Sequence, residues 1–294
     1  MKKNDNIIIY IKINNMKYIG AHIKKDISIL NTIKNIKNNN GNALQIFVSS
    51  PMNSSLPNIE KFNTEKNNII EYCNENNFKL IIHGSYVINL ANNKINKRII
   101  DIENRWWINL LIKELDVCEL LNAIGVIIHV GKYTSNTKEI GLDNMYLSIK
   151  YILDYLKKNN YKFKSIIETP SGVGTELLTN SEEFIKFYNK FNINEKKNLG
   201  ICIDTAHIWS AGYDIIKYYE CFKNNYNDII VIHFNNSKLD KGSLLDRHEY
   251  IFEGKIILND LKNFLNKLKK TPLIILEKPS DNYDEEINWI KKNF

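Results

Sequence analysis

Seven short apolar runs in this sequence end in a histidine or a carboxylate, although such runs usually form buried strands. The seven residues are His22, His83, His129, Glu168, Asp204, His233 and Glu277. A buried strand that ends in an imidazole or a carboxylate loses stability unless that group is paired or bound to a metal ion. Two further histidines, His207 and His248, lie close to acids in the segments DTAH and DRH. The pattern therefore predicts that these side chains converge on a metal site.

The ligand types indicate which metal such a site prefers. Imidazole and carboxylate groups without thiolates suit Zn²⁺, with Mn²⁺ or Fe²⁺ as substitutes, and a site this rich in histidine does not suit Mg²⁺ or Ca²⁺. A catalytic zinc ion takes three or four protein ligands, so nine ligands with one bridging carboxylate would serve about three ions. Two ions about 3.5–4 Å apart can hold a phosphoryl group between them. Each residue alone has a structural alternative, since a strand-end histidine can be a hydrogen-bonded core residue and Asp204 can cap a helix.

The elements that would position these residues repeat along the chain. Apolar runs recur near residues 17–22, 43–48, 79–83, 125–129, 164–168, 199–204, 229–234 and 272–277. Helical stripes lie between them, one formed by Ile29, Ile33 and Ile36 and another by Met145, Ile149, Ile152 and Leu156. Eight strand–helix units match the size of a single closed (β/α)8 TIM barrel of the α/β class, with an open doubly wound sheet as the alternative. The closed barrel is favoured because it brings seven strand ends together at its C-terminal mouth.

Local sequence also predicts two helix boundaries. Thr179 with Glu182 resembles a capping box that opens the helix containing Phe184 and Phe187. The final segment, residues 281–294, begins with acids and ends with lysines, as the helix dipole favours.

Length and composition indicate a single barrel domain at residues 16–294, preceded by an extension at residues 1–15 that is an added strand, a disordered tail or the product of an upstream start codon. The sequence has no apolar stretch of roughly 18–20 residues and no signal-peptide core, so we expect a soluble intracellular protein that contacts no membrane. The four cysteines, Cys73, Cys118, Cys202 and Cys221, lack metal-ligand spacing and are expected to be small core residues. The net charge of +7 suits a nucleic-acid partner, although an AT-rich genome also favours the lysines that carry it.

Several longer segments resemble one known family in their order and spacing. They are MKYIGAH, IIHGSYVINLA, IIHVGKY, IIETPSGVG, GICIDTAHIWSAGYD, VIHFNNSK, DRHEYIFEGKI and IILEKP. Together they resemble endonuclease IV, the zinc-dependent family of apurinic/apyrimidinic (AP) endonucleases, from Met16 to the C-terminus. The combination of IDTAHxxxAGYD, HxNxSK and DRHxxxxEG is the most specific part of this resemblance.

The resemblance implies three zinc ions per chain, with one carboxylate bridging two of them. The implied ligands are His83, His129 and Glu168 for the first ion, Glu168, Asp204, His233 and Glu277 for the second, and His207, Asp246 and His248 for the third. His22 matches a family position beside the metal centre and is expected to orient ligands or phosphate.

The resemblance also implies a reaction and a substrate. The family hydrolyses the phosphodiester 5′ to an abasic deoxyribose in duplex DNA and leaves a 3′-hydroxyl and a 5′-deoxyribose phosphate. The implied functional residues are Glu168 and Glu277 for catalysis and Tyr86, Lys238 and Arg247 for DNA contact. The loop FVSSPMNSSLP departs from the family pattern, because Met52 lies near a position where an arginine is common. We expect the protein to act as a monomer on double-stranded DNA with abasic sites.

Two other functions fit parts of the pattern. A metal-dependent sugar isomerase or epimerase shares the barrel and the ligand types, but such enzymes usually need one or two ions. The third group of ligands, His207, Asp246 and His248, argues against that reading. A non-catalytic module that binds abasic DNA is the other alternative, and the complete set of ligands argues against it.

Overall fold

Eight parallel strands form the centre of the molecule and close into a barrel. The computed structural model describes residues 16–24, 27–278 and 282–294. The barrel strands are β1 (Ile19–His22), β2 (Ala43–Phe47), β3 (Lys79–His83), β4 (Gly125–His129), β5 (Lys164–Glu168), β6 (Leu199–Asp204), β7 (Ile229–His233) and β8 (Leu273–Leu276). Each strand pairs with the next along the chain, and β8 pairs with β1. The predicted TIM barrel is confirmed, and the open-sheet alternative is wrong.

Helices between the strands cover the outside of the barrel. They are α1 (Ile29–Asn38), α2 (Ile59–Glu75), α3 (Trp106–Leu120), α4 (Lys138–Lys158), α5 (Ser181–Tyr188), α6 (Thr205–Ser210), α7 (Ile215–Cys221), α8 (Leu258–Lys267) and α9 (Asp284–Asn293), with 3-10 turns at Ile102–Asn104, Glu195–Lys197 and Tyr226–Asp228. Short antiparallel strand pairs join Lys94–Ile95 to Arg98–Ile99 and Asn236–Ser237 to His248–Glu249. The two predicted apolar stripes are buried in α1 and α4. No helix in the described ranges has the length and apolar character needed to cross a membrane.

Of the two predicted helix boundaries, the first is wrong in its capping residue and the second has the predicted charge pattern. α5 begins after Asn180, whose Oδ1 accepts hydrogen bonds from the backbone N–H groups of Glu182 (2.8 Å) and Glu183 (3.2 Å). The predicted cap at Thr179 is wrong, because the Asn180 side chain lies one residue nearer to the free N–H groups of the first turn. α9 carries acids in its first turn and lysines in its last, as predicted. Residue 281, the predicted start of that segment, lies outside the described residues.

A layer of apolar side chains fills the barrel beneath its C-terminal mouth. It consists of Ala43, Ile81, Ile127, Ile166, Cys202, Val231, Leu273 and Ile275. Side chains two residues apart on a strand face the same side, so Ile81 and His83 both point into the barrel. In β1 a Cβ on Gly20 would lie 1.7 Å from the carbonyl oxygen of Ala43, so only glycine fits there. The polar strand ends therefore form the layer above an apolar core, which is where a barrel of this type places its site.

The cysteine predictions are partly confirmed. Cys118 and Cys202 are buried, and Cys73 is half-buried in α2. Cys221 is exposed at the end of α7, so its predicted core position is wrong. It lies on a different face of α7 from the buried residues Ile215, Tyr218 and Tyr219. The predicted extension at residues 1–15 lies outside the described part of the chain.

Candidate metal centre

The strand ends bring the predicted ligands together at the barrel mouth. His83, His129, Glu168, Asp204 and His233 are the last residues of β3 to β7, and Glu277 directly follows β8. Glu168, Asp204 and His233 are fully or almost fully buried. Burial of so many ionisable groups is costly unless they pair with one another or bind ions.

Glu168 lies at the centre of this cluster. Its Oε2 lies 3.2 Å from Nε2 of His129 and 3.5 Å from Nε2 of His83. Its Oε1 lies 2.7 Å from Nδ1 of His233. The two oxygens of one carboxylate thus face two different groups of ligands, which is the arrangement that a bridging ligand requires.

A second group surrounds Nδ1 of His233. This atom lies 3.0 Å from Oε2 of Glu277 and 3.7 Å from Oδ2 of Asp204. Glu168, Asp204, His233 and Glu277 each offer one ligand atom, and these atoms all lie within 4.8 Å of one another. A shared cation would relieve the repulsion among the three carboxylates.

The third group contains the two histidines of the DTAH and DRH segments. Asp246 lies between them, with Oδ2 3.1 Å from Nε2 of His207 and Oδ1 3.0 Å from Nε2 of His248. Asp204 also offers an atom within 4.8 Å of both histidines. The antiparallel pairing of His248 with Ser237 positions this part of the chain beside the strand ends. Asp204 therefore lies between the second and third groups.

Asp204 also caps α6, which is the structural role that the sequence offered as an alternative to metal binding. Its Oδ1 accepts a hydrogen bond from the N–H of His207 (2.7 Å). Its Oδ2 accepts one from Nδ2 of Asn235 (2.7 Å) and lies 3.6 Å from Nε2 of His248. The capping role and a ligand role are compatible because they use different oxygens.

Three buried ligand atoms make no hydrogen bond among the described residues, although each has an ion-pair neighbour 3.0–3.2 Å away. They are Oε2 of Glu168, Nε2 of His207 and Nε2 of His248. Nδ1 of His207 lies 2.8 Å from the carbonyl oxygen of Thr169, and Nδ1 of His248 lies 2.7 Å from that of Glu277. A proton held on Nδ1 by a carbonyl leaves the Nε2 lone pair directed into the cluster, as in histidines that bind metal. The residues therefore fit bound transition-metal ions.

The charges in the cluster stabilise one another. Burial opposes a charged imidazole, but Asp204, Asp246 and Glu168 together outweigh burial and raise the pKa of His207 well above its usual value. Burial also opposes a charged His248, but Asp204, Asp246 and Glu277 together outweigh burial and raise the pKa of His248 to about 9. Burial would raise the pKa of Glu168, yet His233, His129 and His207 together lower it well below its usual value. Without metal, His207 and His248 are therefore imidazolium ions paired with Asp246, and bound cations would replace the protons on their Nε2 atoms.

Gln45 is a member of the site that the sequence analysis missed. It is fully buried in β2, where its Nε2 donates to Oε1 of Glu277 (2.6 Å) and its Oε1 lies 2.8 Å from Nε2 of His233. Nδ1 of His22 lies 2.9 Å from the Gln45 amide nitrogen and 3.0 Å from Oε1 of Glu277. Gln45 and His22 therefore orient the Glu277 carboxylate. The only sequence signal for Gln45 was a single amide inside the apolar run ALQIF.

Cys202 lies beneath the cluster. Its Sγ lies close enough to ligand atoms of Glu168 and His233 for the three to hold one ion. Burial raises the pKa of the Cys202 thiol to about 12. This shift disfavours the thiolate that binds metal, so the histidines and carboxylates remain the better ligands.

A cavity of about 740 Å³ opens from the cluster between the loops. Tyr86 and Arg247 line it together with members of the cluster. Tyr86 is 49% exposed, and its ring packs against the rings of His83 and His129 at centroid distances of 5.4 and 5.3 Å. Lys238 is exposed, and its backbone N–H donates to the carbonyl oxygen of Arg247 (2.9 Å). Tyr86 and Arg247 thus lie at the opening, with Lys238 beside Arg247.

Known proteins are similar to this chain over nearly its whole length. Residues 33–293 match the family described as a xylose isomerase-like TIM barrel. A probable endonuclease 4 of Mycoplasmopsis agalactiae is 32% identical over 288 residues, which cover 92% of this chain and 97% of that protein. Apurinic-apyrimidinic endonuclease 1 of Plasmodium berghei is 31% identical over 297 residues, which cover 96% of this chain but only 55% of that longer protein.

A solved structure supports the same fold. Endonuclease IV from Thermus thermophilus superposes with a TM-score of 0.70 and 21% identity, covering 94% of this chain and 100% of that one. At that identity the likeness concerns the fold alone, so the family assignment depends on the sequence matches. By those matches, the chain belongs to the endonuclease IV family of AP endonucleases, among the xylose isomerase-like TIM barrels.

Proposed function

We propose that this protein is a DNA-repair endonuclease that hydrolyses the phosphodiester 5′ to abasic sites in duplex DNA, leaving a 3′-hydroxyl and a 5′-deoxyribose phosphate. The observation that carries the proposal is the set of histidines and carboxylates that forms three adjoining groups at the barrel mouth. Relatives named as endonuclease 4, which match nearly the whole chain, support the same reaction. The net charge of +7 suits a polyanionic substrate, with Lys238 and Arg247 as proposed phosphate contacts of a monomer.

Three zinc ions would complete the proposed site. The residues proposed to hold them are His83, His129 and Glu168 for the first, Glu168, Asp204, His233 and Glu277 for the second, and His207, Asp246 and His248 for the third. Bound zinc supplies Lewis acidity, which acidifies water and neutralises the charge of a phosphodiester. Imidazoles and carboxylates without a thiolate fit zinc, with Mn²⁺ or Fe²⁺ as substitutes.

Glu277 is proposed to orient the attacking water. Burial would raise the pKa of this carboxyl group, but His233 and His22 outweigh burial and lower it, so the group is ionised and can accept a hydrogen bond from water. Gln45 donates to its Oε1 (2.6 Å), and Asn235 donates to its Oε2 (3.2 Å). A carboxylate fixed at both oxygens can hold water in line with phosphorus, and no covalent intermediate is required.

The fold alone does not separate this reaction from sugar isomerisation, since the matching family is named after xylose isomerase. The third group of ligands favours the nuclease. His207 comes from α6, and Asp246 and His248 come from the segment that pairs with Asn236–Ser237, so this group adds to the ring of strand ends. An isomerase that uses one or two ions does not need it. A module that only binds DNA does not need the full ligand set either.

The direct test is cleavage of a labelled duplex that contains one tetrahydrofuran abasic analogue. We expect the zinc-loaded protein to cut the strand once, 5′ to the analogue, and to leave an end that a DNA polymerase can extend. An intact duplex is the control substrate, and a chelator should abolish cleavage until zinc is restored. Equal cleavage of intact DNA, or no cleavage by fully metal-loaded protein, would contradict the proposal.

Tyr86 is proposed to fill the gap left by the missing base. Stacking of an aromatic ring on a base contributes about 1–3 kcal/mol, so Tyr86→Ala should weaken binding to abasic duplex by about tenfold or more. Tyr86→Phe keeps the ring and should bind like the wild type. Competition between abasic and intact duplex measures the effect, and metal content is the control because the Tyr86 ring packs on His83 and His129. An unchanged preference in Tyr86→Ala would make Tyr86 a packing residue.

A further inference from the structure

A buried carboxylate behind the barrel mouth joins two loops. Glu114 lies in α3 and is fully buried. Its Oε1 accepts a hydrogen bond from Oγ of Ser49, in the segment after β2, and another from the N–H of Ser85 (3.1 Å), in the segment after β3. Neither serine belongs to the metal cluster. The carboxylate therefore connects a helix to two segments that carry mouth residues.

Ser85 extends this connection toward the mouth. Its Oγ donates to the carbonyl oxygens of Ser50 (2.7 Å) and Pro51 (3.1 Å). The N–H of Tyr86 donates to the carbonyl oxygen of Pro51 (3.0 Å). The two segments are therefore held together by backbone and side-chain bonds. Tyr86 comes directly after Ser85 and Met52 comes directly after Pro51, and these two side chains are 49% and 73% exposed.

The surroundings of Glu114 make a carboxylate costly there. Burial raises the pKa of Glu114 to about 7, although the hydrogen bonds from Ser49 and Ser85 lower it. Its Oε2 has no hydrogen-bond partner in the described part of the chain. A Cβ on Gly84 would lie only 3.3 Å from that oxygen. A leucine of similar size would avoid the desolvation, so the hydrogen-bond acceptor is what distinguishes glutamate at this position.

We propose that Glu114 is a positioning residue for DNA binding, which holds the segment after β2 against the segment after β3 and so sets the position of Tyr86 at the mouth. This inference rests on the proposed function, because it concerns how the same enzyme presents Tyr86 to the duplex. Without the acceptor, the buried N–H of Ser85 and the half-buried hydroxyl of Ser49 would be left unpaired, and the two segments would separate to reach water.

Three variants test the role of Glu114. Glu114→Leu removes the acceptor, Glu114→Gln keeps an amide oxygen in its place, and Val117→Ala perturbs another buried residue of α3. In Glu114→Leu we expect the KM for abasic duplex to rise about tenfold, as loss of one stacking contact would cause, with kcat and metal content unchanged. Glu114→Gln and Val117→Ala should keep the wild-type KM. Without DNA, amide hydrogen exchange at residues 49–52 and 84–87 should quicken in Glu114→Leu alone.

Wild-type KM and exchange in Glu114→Leu would overturn the proposal. An equal rise of KM in Val117→Ala or in Glu114→Gln would also overturn it, since the acceptor would then not be the cause. If Glu114→Leu does not fold, Ser49→Ala decides, because it removes one donor and should raise KM about threefold; an unchanged KM overturns the proposal. Failure of the proposed function is distinct, because the wild type would then leave abasic duplex uncut while the exchange measurement still reports on Glu114.

Discussion

Glu168→Gln is expected to lower the rate of cleavage at an abasic site by several orders of magnitude while most of the DNA affinity is retained. Glutamine keeps the volume of the side chain but removes its charge and one of its two oxygens. Those oxygens face His129 on one side and His233 on the other, so the amide would not bridge two ions. DNA affinity comes chiefly from phosphate contacts, so the loss should be in kcat. Glu277→Gln should behave similarly.

Single-turnover cleavage and metal content, measured on the same preparation, provide the test. Glu176→Gln is the matched control, because the Glu176 side chain is only 4% exposed beside the same cavity but lies outside the three ligand groups. Its Oε2 accepts hydrogen bonds from the N–H groups of Gly172 (2.8 Å) and Val173 (3.0 Å). A glutamine oxygen can accept both, so this variant should cleave at close to the wild-type rate. Near-native turnover in Glu168→Gln would remove Glu168 from the catalytic core.

Elemental analysis of protein purified without added metal should give about three transition-metal ions per chain, with zinc dominant. Asp246→Asn should lower the value to about two, because Asp246 faces both His207 and His248 in the third group. Asp240→Asn is the control, since Asp240 is an exposed acid of the same loop, 89% exposed at its side chain. A wild-type value near one ion would sink the trinuclear assignment and favour the isomerase reading. A full metal load in Asp246→Asn would remove Asp246 from the ligand set.

The strands and the ring of polar strand ends could be predicted from the sequence because their signals are local. A strand that is buried on both faces is apolar throughout, as in the run before His83 and the run before Glu168. Its end is visible where the apolar run meets an ionisable residue. Eight such runs implied a closed barrel, and closure implied that their ends converge. The residue types at those ends then indicated the class of metal. None of these steps required knowledge of a contact between distant residues.

The supporting contacts could be decided only by the tertiary structure. Local sequence permits either Thr179 or Asn180 to cap α5. In the folded chain the Asn180 side chain accepts the hydrogen bonds from the first-turn N–H groups. Gln45 carries only a weak local signal, a single amide in an apolar strand, and Glu114 is one acid among others in a helix. Each supports the barrel mouth through hydrogen bonds to residues that are far away in the sequence.

The division of the ligands into groups also required the folded barrel. Asp204 lies between two groups because the loop that carries His248 returns to the end of β6. Hydrogen bonds and ion pairs depend on distances of a few ångströms, and barrel closure sets those distances between residues far apart in the chain. The residue types at the strand ends therefore determined which class of metal ion the site suits. The closed barrel decided which other side chains orient the ligands, because it brings those side chains within hydrogen-bonding distance of them.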